Sequence, residues 1–222
     1  MAASPRDGNA ELENAGEWAA LQALLSNCLK HPDGELETAI GDGSLESDLA
    51  ALTETVGVER PGSVPEVADR DLTEDYEALF GALREPFAPP AASPYKEWYG
   101  NRDGGLMDGP PAARMEERMD ALDVSIPDAY PPDHVALQLE YASLLAESGA
   151  VEDLANFVET ELDWIDAYGA KVSDSAAVAP FHRYCVDVLV AAVRRLRDEL
   201  GLSGPSEAEI ERMVDRTTSQ RI

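Results

Sequence analysis

Over residues 135–146, VALQLEYASLLA, apolar side chains recur at helical spacing around most of a circumference. Val135, Leu139, Ala142 and Ala146 fall on one face, and Leu137, Tyr141, Leu144 and Leu145 on the adjoining one. A helix that is apolar on nearly every side belongs at the centre of a structure, with other elements packed around it. The rest of the chain repeats the same period. Trp18, Leu21, Leu25 and Leu29, with Leu24 and Cys28 beside them, mark a first helix that His31-Pro32-Asp33-Gly34 ends. Residues 44–58 form the next, with Ser44 and Ser47 as candidate N-caps. After a loop over 60–70, Asp71 and Glu74 stand in capping-box spacing ahead of a stripe of Leu72, Tyr76, Leu79, Phe80 and Leu83. Helical spacing then predicts segments at 112–123, 132–148, 150–168, 174–200 and 206–217. Strict alternation never persists, so no strand is expected. The fold class is all-α: one helical bundle spanning 1–222, frayed at 1–12 and 218–222, with short joins between antiparallel neighbours in its second half.

The charge narrows the partners. Lys and Arg total 17 against 44 Asp and Glu, a formal net charge of −27, and the lysines are Lys30, Lys96 and Lys171 alone. Such a surface repels itself in dilute buffer and is screened in concentrated salt. The composition is similar to that of a cytoplasmic protein from a salt-accumulating microbe. Nucleic acid is excluded as an expected partner, because phosphate binding needs a basic face. Cys28 and Cys185 both fall in apolar helical patterns and read as buried free thiols. No metal site is expected, since no histidine stands at ligand spacing from either cysteine. No apolar signal core or membrane span is visible, which places the protein in the cytoplasm without membrane insertion.

Two regions depart from plain helix. Residues 85–111, EPFAPPAASPYKEWYGNRDGGLMDGPP, are dense in Pro, Gly and aromatics, and form a long connection. Its rings, Phe87, Tyr95, Trp98 and Tyr99, need a surface to cover. The second region is Tyr130-Pro131-Pro132-Asp133-His134, immediately before the central helix. The prolines suit a first turn and Asp133 suits an N-cap, which puts His134 within the first turn. Read from the residues alone, Asp133 and His134 are either a structural cap or a donor–acceptor pair at a helix mouth. Leu79 and Phe80 read as core, as do Phe157 and Trp164. Arg194-Arg195 reads as a solvated helix face.

These pieces together resemble a family. PPDHVALQLEY, YEALF (76–80), EPFAPP (85–90), SPYKEWY (93–99) and APFHRY (179–184) occur in the order and spacing of the TorD/DmsD/NarJ chaperones, and the chain resembles a haloarchaeal-type member. The resemblance runs from about Trp18 to Leu200. Gln138 departs from it, standing where the family has a glutamate. The resemblance implies a cytoplasmic chaperone of TorD-like fold without catalytic activity or cofactor. Its partners would be the N-terminal, often twin-arginine, leader of a dimethyl sulfoxide reductase-family molybdoenzyme subunit and the apo form of that subunit, held until the cofactor is inserted. By that carry-over Asp133, His134, Tyr95 and Tyr99 form the peptide site, Leu79, Phe80 and Pro132 line it, and Trp98 is a neighbour. Physical chemistry suits the role. Asp133 and Glu85 are carboxylates able to pair with guanidinium groups, and aromatic faces add cation–π contacts of roughly 0.5–2 kcal/mol each. An enzyme reading has no nucleophile placed by motif, no phosphate loop and no metal set. An acidic helical adaptor without leader specificity is the alternative. Monomer and helix-exchanged dimer are both compatible with the sequence.

Overall fold

The computed structural model describes residues 12–67, 70–81, 87–97, 108–174 and 179–219. Among them are ten helices and no strand: α1 (Ala15–Cys28), α2 (Gly34–Gly41), α3 (Ser44–Val56), α4 (Leu72–Phe80), α5 (Pro110–Ala121), α6 (Val135–Glu147), α7 (Val151–Thr160), α8 (Ile165–Asp174), α9 (Pro180–Leu200) and α10 (Glu207–Ser219). The all-α class expected from the periodicity is what the structure shows, consistent with the TorD-like type that the resemblance implies. None of these helices is long and apolar enough to cross a membrane.

The core is built on α6. Val135, Ala136, Leu137, Gln138 and Leu139 are all buried, one full turn and more without an exposed face. Its most extensive neighbour is α1, in which Trp18, Leu21, Leu25 and Cys28 are buried. Then α3 packs on α1, α7 on α6, and α9 across α7, α8, α4 and α1. Burying Trp18, Trp164, Phe157, Phe181 and the leucines contributes about 1.5–3 kcal/mol for each aliphatic or phenyl side chain. Cys28 and Cys185 are buried free thiols, as their apolar settings suggest.

Several boundaries differ from the expected ones for identifiable reasons. The turn at 31–34 does not merely end a helix: Asp33 accepts from the backbone N–H of Glu35 (3.1 Å) and Leu36 (2.9 Å) and starts α2. The cap of α3 is Gly43, at a φ of 80°; Ser44 is inside the helix, its N–H donating to Asp42 (2.9 Å). Asp71 does cap α4, accepting from the Glu74 N–H at 3.0 Å. The single helix expected over 150–168 is two helices, α7 and α8. Between them the Leu162 carbonyl accepts from Arg197 (2.7 Å), and Trp164 turns inward to donate to Gln138 (3.0 Å). Arg194 is exposed and Arg195 half-buried, in keeping with a solvated face, although Arg194 also binds Asp166 at 2.6 Å; the next arginine, Arg197, is buried. Leu83 lies outside the described residues.

Candidate functional site

The start of α6 fixes the site. Two prolines and the Pro131 carbonyl, which accepts from the His134 N–H (2.9 Å), shape the approach. The N-cap is His134, whose Nδ1 accepts from the Ala136 N–H at 3.2 Å. A ring that accepts through Nδ1 carries its proton on Nε2 when neutral. Burial, and then the Lys30 charge, push the His134 pKa down to about 3, so the imidazole is neutral.

Asp133 is thereby freed from capping and turns to the 87–97 segment. One of its carboxylate oxygens accepts from both the N–H and the hydroxyl of Ser93, each at 2.6 Å. The Ser93 hydroxyl oxygen also accepts from the Gly109 N–H (3.2 Å), just before α5. Backbone bonds add to the clasp: the Asp133 carbonyl accepts from Ala92 (3.2 Å) and the Pro90 carbonyl from Val135 (2.8 Å). One carboxylate therefore joins the proline-rich segment, the start of α5 and the start of α6. It is wholly buried, and burial raises its pKa against the lowering effect of Ser93.

The segment continues inward. Tyr95 has no exposed surface and lies 5.0 Å from the Trp164 ring and 6.3 Å from Tyr168. Phe87 is buried as well, so at these two positions the rings cover the core. Lys96 reaches Asp163 at 2.6 Å, and the Arg216 guanidinium donates to the Tyr95 carbonyl at 3.0 Å.

His134 faces the other way. Its ring lies 4.7 Å from that of Tyr130. Tyr130 is half-buried and forms a wall of an open cleft of about 310 Å³ between α1, α2 and the approach to α6. His31 lines the cleft beside it, its backbone N–H donating to the Tyr130 hydroxyl at 3.0 Å. Behind His31 a ladder of rings runs inward: Tyr76 at 5.3 Å from His31, Phe80 at 5.0 Å from Tyr76, then His182 at 5.8 Å from Phe80. Leu24, Leu36 and Leu45 supply the apolar part of the cleft, Asn27, Asp33 and Glu35 line the rest, and Lys30 at its edge pairs with Glu140.

The expected site residues thus divide. His134 and Phe80 come together behind one cleft, through Tyr130 and through Tyr76 and His31. Asp133 and Tyr95 gather on the far side of the turn, Leu79 is buried, and Pro132 is half-buried. Glu85, Trp98 and Tyr99 lie outside the described residues. Sequence reasoning missed Tyr130, His31 and Ser93. A tyrosine before a proline pair was the visible signal for the first; nothing local distinguishes the others. Among the described residues, no group of three or more His, Cys, Asp or Glu side chains is placed to hold a metal ion.

Among the described residues, ten helices, with the mouth of α6 buried and clasped to a proline-rich segment beside an open cleft, define an all-α protein consistent with the TorD-like type. Residues 41–174 match the family model described as nitrate reductase delta subunit. That is more than half of the chain, and the chain belongs to this family, whose members are chaperones for molybdoenzyme maturation. No curated protein sequence matches it.

Proposed function

We propose that the protein is a cytoplasmic, non-catalytic chaperone, acting as one helical domain, that binds the N-terminal leader of a molybdoenzyme subunit of the dimethyl sulfoxide reductase family. It holds the apo subunit until the cofactor is inserted. A twin-arginine leader fits best, because it joins basic residues to an apolar helix-prone stretch. The family's description favours a nitrate reductase as client.

One observation carries the reading: the Tyr130 ring stands between the buried His134 and an open cleft lined by leucines together with the carboxylates Asp33 and Glu35. Tyr130 and His31 give an apolar peptide two rings to pack on, in helix-in-groove fashion. His134 and Pro132 set the Tyr130 wall. Asp133 and Tyr95 hold the 87–97 segment, and Leu79 and Phe80 back the ring ladder. For Tyr99 the assignment to peptide contact rests on the family resemblance; Glu85 is assigned as a carboxylate able to pair with a guanidinium group, and Trp98 only as a neighbour of Tyr99.

The test is calorimetric titration in multimolar KCl with the N-terminal peptide of a molybdoenzyme subunit from the same genome. Micromolar or tighter binding, weakened about tenfold or more by Tyr130→Ala, is the expected result. Equal affinity for a scrambled peptide of the same composition would identify an acidic adaptor instead.

A further inference from the structure

Helix α2 separates two hollows. It gives Glu35, Leu36 and Ala39 to the cleft beside Tyr130, and Glu37, Ile40 and Gly41 to a second cleft on its other side. The second cleft measures about 460 Å³, within the range of hollows that enclose ligands. Its floor is apolar, with Ile40, Val64 and Val67 half-buried and Leu72 buried.

Four charged side chains reach this cleft: Glu37, Glu46, Glu66 and Arg70. Two are engaged by the fold. Glu46 takes both ends of the Arg60 guanidinium at 3.0 Å and the Val64 N–H at 2.8 Å, which ties residues 60–64 to α3. Arg70 forms a two-pronged pair with Asp75, 2.6 Å on each arm. Glu37 and Glu66 are different. Both are exposed, and among the described residues neither has an ion-pair or side-chain hydrogen-bond partner.

Two uncompensated carboxylates over an apolar floor complement a side chain with a long aliphatic stem and a cationic head. Arginine suits them best, because its planar fork pairs with carboxylates through two hydrogen bonds and sheds its hydration more readily than lysine. Other unpaired acids among the described residues also rim hollows, Glu35 beside Tyr130 and Asp48 between α1 and α3, but each does so without a second unpaired carboxylate in the same lining. The two clefts stand one helix width apart, about 10 Å, which three or four extended residues span.

We propose that this second cleft receives an arginine side chain and an adjoining apolar residue of the bound client segment, with Glu37 and Glu66 as the carboxylates that read it. This rests on the leader-binding reading and adds to it a place where a basic residue is recognised.

The probe is the peptide Ser-Arg-Arg-Leu-Leu-Ala-Leu-Leu-Ala, titrated into the full chain in multimolar KCl, beside a counterpart with both arginines replaced by glutamine. The Glu37→Gln/Glu66→Gln variant is expected to bind the arginine peptide about tenfold more weakly and the glutamine peptide as the wild type does. A control pair on exposed α7 positions, Glu152→Gln/Glu159→Gln, is expected to leave both affinities unchanged. Full-strength binding of the arginine peptide to Glu37→Gln/Glu66→Gln, an equal loss for both peptides, or the same loss in the control would overturn the inference alone. No binding of either peptide to the wild type would overturn the leader reading and this inference with it.

Discussion

His182 on α9 has no exposed surface, and neither ring nitrogen has a hydrogen-bond partner among the described residues. Tyr76, Phe80 and Phe181 surround it. Burial holds its pKa down to about 4, the charge of Asp75 acting against this and His31 adding to it. Below about 6.5 the unfolded chain binds a proton here that the folded chain refuses. Stability therefore rises with pH across this window and is lost as pH falls from about 6.5 to about 4. The difference corresponds to on the order of 3 kcal/mol. His134, pushed down to about 3, adds a loss of the same sign over the same descent. Urea unfolding across this range should show a smaller acid loss for His182→Phe than for the wild type; parallel curves would remove His182 from the account. Asp133 shows where reading residues in sequence stops. Its place before an apolar helix suggests a cap, yet the cap is His134. The Asp133 carboxylate answers to Ser93, forty positions away, and no local pattern announces a contact of that separation.

Among the elements, α8 and α9 approach closely at Gly169. A Cβ built there would lie 2.6 Å from Cγ2 of Val190. Alanine is favoured over glycine in a helix by roughly 1 kcal/mol, but overpacking a fitted contact costs about 1–3 kcal/mol. Gly169→Ala should accordingly lower the thermal midpoint, and adding Val190→Ala should recover part of the loss. A midpoint that rises in the single variant would mean that the two helices are not pressed together here. Element types were legible from periodicity, because α1, α4, α6 and α9 bury stripes that repeat at helical spacing. Two boundaries were not. The starter of α2 is a single aspartate inside what reads as a terminating turn. The break between α7 and α8 is held by Arg197, reaching across from another helix. In the candidate site, the aromatic segment and the proline-framed turn were visible from composition. The cleft wall was not, because His31 and Tyr130 meet only through the packing of α1 beside α6.

For the molecule as a whole, a net charge of −27 sets the conditions under which these contacts count. Screening shortens from about 10 Å at 0.1 M salt to about 3 Å at 1 M, which quiets repulsion between exposed acids while sparing buried pairs such as Arg197 with Asp166. The thermal midpoint followed by circular dichroism should rise from dilute buffer to molar KCl, and equally in NaCl. A midpoint indifferent to salt would mean that the acidic surface places no strain on the fold. The Ser93 clasp has a different consequence. Residue 97 departs from, and residue 109 returns to, a neighbourhood anchored by Asp133, Lys96 and the Gly109 N–H. Residues 97 and 109 thus share one anchor, and the placement of α5 beside the start of α6 is set there, by Ser93 and Asp133, whatever sequence joins the two.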